Sequence, residues 1–237
     1  WMVFAPTNCF SDTIFLVADK WCPYNCEPET EKPGFIIEIV RKVFERAGHS
    51  LSYQILPWPR AVKESREGKF NGIIGFTKKT VSGFLTTDHE LVVAREVFFK
   101  KAGYQWKYLG VTSLTELKRV GFPNGYHYSD EIDAYIKRGE NVHLVSGIDP
   151  LKSLVRMLLH DRIQSFPENE NVVRYYLRKT KQQGRLEVAG EFNRSGIFIG
   201  FGLESPYCRR DQKILSEGVQ VLKSSGEFNQ VMESYGL

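Results

Sequence analysis

The chain lacks the patterns that mark membrane-spanning, nucleic-acid-binding and metal-binding proteins. No apolar run approaches the roughly 20 residues that a membrane-spanning helix needs. The 32 Lys and Arg residues nearly balance the 28 Asp and Glu residues, and no dense run of Lys or Arg calls for nucleic acid. None of the five histidines stands at metal-ligand spacing from another His or Cys. We therefore expect neither a nucleic-acid partner nor a metal site.

Cysteine is scarce, with four residues in the whole chain. Cys22 and Cys26 lie close together in a loop rich in Pro, Asn and Glu. A disulfide between them would close a small ring and add roughly 2 kcal/mol to stability by the loop-entropy estimate. Cys9 and Cys208 could pair if the two ends of the chain meet. Four free thiols in a cytosolic protein are the alternative.

The composition that remains is that of an ordinary globular protein. The 237 residues suffice for one large domain or two modest ones. Hydrophobic residues make up 42% of the chain and charged residues 25%, which argues against disorder. The chain begins at Trp1, so a secretion signal cannot be read from it.

Residues 33–77 hold one regular unit of helix, strand, tight turn, helix and strand. Apolar residues at 36–47 recur at the three/four spacing of an amphipathic helix. Residues 51–55 then alternate as a half-buried strand does. Pro57-Trp58-Pro59 ends that strand because Pro cannot donate to a ladder, and a short helix is predicted over residues 60–67. Strands joined by a helical crossover predict a parallel α/β sheet.

The carboxyl ends of these strands predict a ligand site. The second strand of the unit is expected at Ile73 and Ile74. Ligands on parallel sheets usually bind beyond the carboxyl ends of the strands. This rule places five residues on one rim, namely Trp58, Arg60, Gly75, Phe76 and Thr77. An indole beside a guanidinium suits a small polar ligand with a flat or apolar part.

Two features of this rim have a second interpretation. Trp21 and Tyr24 follow a predicted buried strand over residues 13–18, so they are candidates to line the same site. Trp21 could equally cap the core. Arg60 could bind a carboxylate bidentately, or it could pair with Glu64 on the helix surface.

Strand–helix units occur in two groups, roughly residues 1–100 and 103–190, and the last segment rejoins the first group. Short strands are predicted at residues 95–101, 120–122, 143–146, 162–166 and 197–201. No low-complexity linker separates the groups. Two Rossmann-like α/β lobes joined by two crossing strands fit this arrangement. The cleft between the lobes is then the predicted binding site, and it would close by a hinge motion.

The order of short motifs along nearly the whole chain resembles that of the periplasmic solute-binding proteins of ABC importers, in the branch that binds polar amino acids. The motifs are WCPY, KPGFIIEIV, PWPRA, GKFNGIIG, SLTELKRVGFPNGYHYSDEID and LLHDRIQSF. The resemblance implies a type II periplasmic binding protein fold, with one lobe of residues 1–100 plus 191–237 and a second lobe of residues 101–190. It also implies a periplasmic or extracytoplasmic monomer, without enzymatic activity or a cofactor, that delivers a small polar solute to a membrane permease.

The resemblance further implies which second-lobe residues face the solute. The turn that contacts the ligand in this family corresponds to Gly125, Tyr126, His127 and Tyr128, although an ordinary turn before a helix is the alternative. The family usually carries an Asp after the second-lobe strand, where it grips the α-ammonium group. Asn169 falls near that place here, next to Glu168, and both are candidates to contact the solute.

The family's usual Arg for the α-carboxylate is also replaced, because Thr80 stands where that Arg is expected. A free amino acid needs both of its charges met, since a buried unpaired charge is costly. The site could use Arg60 and Glu168 instead, or the ligand is not an α-amino acid. Two other functions stay open on the same scaffold. They are a sensor domain of a signalling receptor and a dehydratase-like enzyme with Glu168 as its acid.

Overall fold

The computed structural model describes residues 12–76 and 82–237. Its strands are β1 (Thr13–Ala18), β2 (Ser50–Ile55), β3 (Gly72–Phe76), β4 (Phe84–Thr86), β5 (Val92–Lys101), β6 (Val120–Pro123), β7 (Val142–Val145), β8 (Phe166–Asn169) and β9 (Leu186–Gly202). Its helices are α1 (Phe35–Arg46), α2 (Trp58–Arg66), α3 (Asp130–Arg138), α4 (Pro150–Leu159), α5 (Glu170–Lys179), α6 (Cys208–Ser225) and α7 (Glu227–Ser234), with a 3₁₀ helix at Val111–Glu116. Cys9, Thr77 and Thr80 lie outside the described residues.

The first lobe confirms the predicted parallel unit. Strand β1 lies between β2 and β3 and pairs with both in parallel, so the carboxyl ends of all three strands meet at one edge. Helix α1 buries its apolar stripe, including Ile36, Ile37 and Val40, against this sheet. Helix α2 begins at Trp58, two residues before the predicted start, because Pro59 is well suited to a first helical turn.

The loop before α1 is held tightly over the end of β1. The backbone N–H of Phe35 donates to the carbonyl of Pro23 at 2.9 Å, and that of Ile36 donates to the carbonyl of Tyr24 at 3.0 Å. A Cβ at Gly34 would lie 2.4 Å from the carbonyl oxygen of Tyr24, so only glycine fits this approach. The loop that carries Trp21 and Tyr24 is therefore fixed at the rim of the sheet.

Two long antiparallel strands, β5 and β9, connect the lobes. Strand β9 runs through 17 residues, far beyond the predicted segment 197–201. The extra length was hidden because its first part reads as polar and lacks regular alternation, with Glu187, Glu191 and Arg194 exposed to solvent. At its far end β9 pairs with β3 and β4 of the first lobe, which confirms that the last segment rejoins the first group.

The second lobe is built on a parallel pair of strands, β6 and β7. The strand predicted over residues 162–166 is displaced, because β8 begins at Phe166 and continues to Asn169. Only from Phe166 onward does the backbone lie beside β5, with Phe166 opposite Phe99 and Asn169 opposite Glu96. This shift matters for the site, since it puts Glu168 and Asn169 at the end of a strand rather than in a loop.

Two α/β lobes joined by a pair of crossing strands are thus confirmed, while the lobe boundaries at residues 100 and 191 stay a prediction. The second lobe has its own apolar cluster, centred on Phe98, Trp106, Leu114 and Phe122. Within the described ranges, no helix combines the length and apolar character needed to cross a bilayer.

The predicted disulfide between Cys22 and Cys26 is present. Cys208 is buried, and its possible partner Cys9 lies outside the described residues, so that second pairing stays a prediction. We expect the double variant Cys22→Ser, Cys26→Ser to lose about 2 kcal/mol of unfolding free energy, because the closed ring no longer restricts the unfolded chain. Urea unfolding measures the loss.

Reduction of the unaltered protein serves as the comparison for this variant. A reductant should lower the unfolding free energy of the unaltered protein to that of the double variant, and it should leave the unfolding free energy of the variant unchanged. A further loss in the reduced variant would reveal a second disulfide, and equal stability of all samples would contradict the predicted contribution of the ring.

Candidate functional site

A cavity of about 90 Å³ lies between the two lobes at the carboxyl ends of the strands. Each part of the fold contributes to its wall. The first lobe supplies Asp19, Trp21, Trp58 and Gly75, and the crossing strands supply Glu96, Phe192 and Ile197. The second lobe supplies Tyr126, His127, Tyr128, Pro167, Glu168 and Asn169. The cavity therefore depends on both lobes for its shape.

Most of the predicted site residues line this cavity. They are Trp21, Trp58, Gly75, Tyr126, His127, Tyr128, Glu168 and Asn169. Tyr24 lies one layer behind the wall, with its ring stacked on Trp21 at a centroid distance of 4.3 Å. Thr77 falls outside the described residues.

Three predicted residues are placed elsewhere by the structure. Arg60 is exposed, and its Nε donates to Oε1 of Glu64 at 2.8 Å, which is the surface pairing weighed as its alternative. Residues 58 and 60 of α2 lie about 200° apart at 3.6 residues per turn, so Arg60 stands outside the cavity and borders a separate pocket with Pro123 and Asn124 of the second lobe. Phe76 is buried in the first lobe beside Phe84. Gly125 meets the other lobe instead of the cavity.

Hydrogen bonds across the cleft join residues of the two lobes at and just behind the wall of the cavity. The indole Nε1 of Trp21 donates to Oε1 of Glu168 at 2.8 Å. The hydroxyl of Tyr24 donates to Oδ1 of Asn169 at 3.3 Å. Asn169 also caps α5, since its Oδ1 accepts from the backbone N–H groups of residues 171 and 172. The amide oxygen of Asn169 is thereby committed to the helix end, which fixes the orientation of the side chain.

The lobes stand closed over the cavity. The rings of Trp58 and Tyr126, one from each lobe, meet edge to face at a centroid distance of 6.1 Å. Lys20 of the first lobe lies 3.5 Å from a carboxylate oxygen of Asp149 in the second lobe. A Cβ built on Gly125 would stand 2.7 Å from Cγ of Pro59, so glycine allows this approach of the two lobes. The structure is accordingly the closed form of a two-lobed protein.

Three carboxyl groups of the wall give the cavity its electrostatic character. Burial raises the pKa of Asp19 to about 7, with a further contribution from the charge of Glu168. Burial likewise raises the pKa of Glu168 to about 7, against hydrogen bonds from Trp21 and from the backbone of Asn169. Burial also raises the pKa of Glu96, partly offset by hydrogen bonds from Asn193 and Ser195.

Sequence reasoning missed two of these carboxyl groups. Asp19 directly follows β1, so the strand-end rule that selected Trp58 could have selected it as well. Glu96 lies inside β5, where only the pairing register decides which face it occupies. The same is true of Phe192 inside β9. No pattern in the sequence marks those two positions.

Several buried polar atoms at the cavity have no hydrogen-bond partner in the described part of the chain. They are Oδ2 of Asp19, Nδ2 of Asn169 and the hydroxyl oxygen of Tyr128. Buried polar groups are almost always satisfied in folded proteins. These atoms are therefore available to a bound molecule, which would find one carboxylate acceptor, one amide donor and one hydroxyl. No group of His, Cys, Asp or Glu side chains within residues 12–76 and 82–237 is arranged to hold a metal ion.

Solved structures of similar shape include substrate-binding proteins of amino-acid ABC transporters and a sensor domain. A histidine kinase sensor domain with similarity to periplasmic binding proteins is 15% identical, with 94% of this chain and 95% of that chain covered and a TM-score of 0.77. ArtJ, an arginine-, lysine- and histidine-binding protein of Geobacillus stearothermophilus, is 15% identical, with 94% of each chain covered and a TM-score of 0.76. AbpA, an amino-acid ABC transporter substrate-binding protein of Streptococcus pneumoniae bound to L-arginine, is 16% identical, with 94% of each chain covered and a TM-score of 0.73.

These similarities extend over almost the entire chain, so they confirm the predicted fold of type II periplasmic binding proteins. At such low identity they concern the fold and leave the ligand open. A scan against protein-family models finds no match, and a search of curated proteins finds none either.

Proposed function

We propose that this chain, which has the two-lobed fold of periplasmic binding proteins, is an extracytoplasmic solute-binding protein that traps one small polar solute between its lobes. The observation that carries the proposal is the interlobe cavity, whose wall is shared by both lobes and by the crossing strands. Ligand pockets between lobes are usually mostly apolar with a few well-placed polar groups, and this cavity has that character. A monomer with lobes of residues 1–100 plus 191–237 and 101–190 fits this role.

Capture follows from the contacts that join the lobes. Strands β5 and β9 connect the lobes and would serve as the hinge. In the closed form Trp21 reaches Glu168, and Trp58 meets Tyr126. A solute that touches both walls favours the closed form, because it gains contacts that the open form lacks. The closed form would then present a solute to the membrane permease of an ABC importer, a role supported by the likeness to substrate-binding proteins of amino-acid ABC transporters.

A sensory role is the second candidate. It is favoured by the likeness to a histidine kinase sensor domain, which has the same fold over 94% of this chain. Both roles need capture of a solute and closure of the lobes, and they differ in the protein that binds the closed form. A longer chain with a signalling domain, or a permease gene next to the reading frame, would separate the two.

Titration calorimetry of protein stripped by unfolding in urea tests the proposal. We expect one solute from a panel of amino acids, amines and small carboxylates to bind at a single site and to change tryptophan fluorescence. The variants Trp21→Phe and Trp58→Phe should each reduce that change, since both indoles line the cavity. Trp106→Phe is the control, because Trp106 is buried in the second lobe away from the cavity.

Two outcomes would contradict the proposal. The first is the absence of binding by every solute of the panel to correctly refolded protein. The second is a fluorescence response that Trp106→Phe removes and the cavity variants keep. Chemical change of the solute during the titration, detected by mass spectrometry, would instead support the dehydratase-like alternative, for which the raised pKa of Glu168 suits a general acid.

A further inference from the structure

The described wall of the cavity carries carboxyl groups from three separate elements. Asp19 directly follows β1, Glu96 lies within β5, and Glu168 is the second-last residue of β8. No Lys or Arg of the described residues lines the cavity with them. His127 is the remaining basic group of the wall, and its Nδ1 lies 3.5 Å from Oδ2 of Asp133, outside the carboxyl cluster.

The cations nearest in sequence are engaged elsewhere. Lys20 follows Asp19 but lies 2.8 Å from Glu27 and 3.5 Å from Asp149. Arg95 precedes Glu96 and pairs with Glu170 and Glu191 on the other face of β5. Neighbouring residues of a strand point to opposite faces, so Arg95 cannot reach into the cavity that Glu96 faces. The carboxyl groups of the wall thus have no cationic partner among the described side chains of the cavity.

The unpaired oxygen of Asp19 is a second indication of a ligand. Asp19 is 5% exposed, it lines the cavity, and its Oδ2 has no partner in the described part of the chain. A buried carboxylate without a partner is costly, whereas a cationic donor beside it would satisfy both its charge and its hydrogen-bonding capacity. The hydroxyl of Tyr128, also without a partner, lies on the same wall.

Aromatic rings form the rest of the recognition surface. Trp21, Trp58, Tyr126 and Tyr128 all line the cavity. Aromatic faces attract cations, most strongly when water is excluded, and ammonium groups in proteins are often held in cages of such rings. The bond from Trp21 to Glu168 and the contact of Trp58 with Tyr126 hold two of these rings in place when the lobes are closed. A wall of rings and carboxyl groups around a cavity of about 90 Å³ suits a small cation.

We infer that the solute is a small organic cation, an amine, a guanidine or a quaternary ammonium compound, recognised through its positive charge and not through a carboxylate. This inference rests on the proposed solute-binding function and names its ligand class. A carboxylate in the same cavity would face Asp19, Glu96 and Glu168 without a cation from the described wall to receive it. An organic cation is favoured over a metal ion because the described acidic side chains do not converge on a metal geometry.

Matched ligand pairs test this inference at pH 8 by calorimetry and tryptophan fluorescence. Agmatine, cadaverine and choline are the cations without a carboxylate. Arginine adds a carboxylate to agmatine, citrulline replaces the guanidinium of arginine with a neutral group, and 3,3-dimethylbutan-1-ol is the neutral counterpart of choline. Glutamate is the anionic member. The protein is stripped in urea, since guanidinium is itself a candidate ligand.

The expected result is that at least one cation binds and that 3,3-dimethylbutan-1-ol and glutamate, which carry no net positive charge, bind about 30-fold more weakly or worse, as is typical when one partner of a buried charge pair is removed. The variant Glu96→Gln should weaken binding of the same cation, and Glu217→Gln on the exposed face of α6 should leave that binding unchanged.

If a neutral or anionic solute binds most tightly, the inference of a cationic ligand is wrong, while the proposal that the protein captures a solute is supported. Arginine binding ten times more tightly than agmatine would overturn the exclusion of a carboxylate, and no binding by any solute would overturn both proposals.

Discussion

Replacing Asp19 with Asn should make the ligand-free protein more stable at pH 8 and should remove its affinity for a cationic solute. The carboxyl of Asp19 is buried, and its folded-state pKa of about 7 lies well above the ordinary value of 3.8. The stability that this group contributes is therefore fully present below about pH 4 and is lost as the pH rises through 7. At about 1.4 kcal/mol for each pKa unit, ionised Asp19 costs the folded protein on the order of 2–4 kcal/mol at pH 8.

Asparagine keeps the shape of the side chain and cannot ionise. The gain from Asp19→Asn should thus be largest at pH 8 and should shrink to less than half at pH 5, where most of the folded wild-type protein carries a protonated Asp19. Urea unfolding at the two pH values measures this difference. The same substitution removes a charge that the proposed ligand needs, so affinity should fall about 30-fold or more.

Glu217→Gln is the matched control for this variant. It removes one carboxylate from an exposed position of α6, where the side chain is 69% exposed. We expect a change of stability within about 0.5 kcal/mol at either pH, and no change in affinity. If Asp19→Asn is less stable than the wild type at pH 8, ionised Asp19 does not destabilise the ligand-free fold. If the variant binds the cation as tightly as the wild type, Asp19 does not contribute to binding.

Replacing Gly125 with Ala should weaken solute binding about 10-fold or more by opposing closure of the lobes. In the closed form a Cβ at this position would stand 2.7 Å from Cγ of Pro59, which belongs to the other lobe. The proline ring is rigid, so the lobes themselves would have to separate. Because the open form lacks this contact, the substitution should penalise the closed form selectively, and apparent affinity follows the population of the binding-competent state.

Gly125 also has a positive φ of 78°, so its replacement carries a backbone cost that is unrelated to closure. Gly139→Ala shares that cost, because Gly139 has a φ of 75° and no atom within 4 Å of a Cβ built there. Both variants should lose about 1 kcal/mol of stability, and only Gly125→Ala should lose affinity. Small-angle scattering with saturating solute should show incomplete compaction of Gly125→Ala alone. Equal affinities of the two variants would show that this contact does not limit closure.

Local patterns in the sequence determined most elements of the fold. The spacing of apolar residues predicted α1 and β2, and the crossover between strands predicted the parallel sheet. The strand-end rule placed Trp21, Trp58 and Gly75 at one rim, because parallel strands bring their carboxyl ends together whatever the detailed packing. These are consequences of backbone hydrogen bonding and side-chain periodicity, which short segments carry by themselves.

Arg60 shows where local reasoning ends. The strand-end rule correctly placed Trp58 at the cavity. Arg60 lies in the first turn of the same helix, where it pairs with Glu64 and is exposed to solvent. The proposed ligand class changes with it, because a guanidinium in the wall would call for a carboxylate, whereas the described wall carries Asp19, Glu96 and Glu168. The predicted site thereby loses its one guanidinium, while Glu168, its predicted acidic residue, stays in the wall of the cavity.

The sequence by itself thus determined that two α/β lobes enclose a cleft, and which strand ends border it. Only the tertiary structure decided that Glu96 and Phe192 enter the cavity, since their orientation depends on the register between β5 and β9. It also decided which charges remain without partners, because pairing depends on distances between elements that lie far apart along the chain. The electrostatic character of the cavity is therefore a property of the folded protein, while its position follows from the order of the strands.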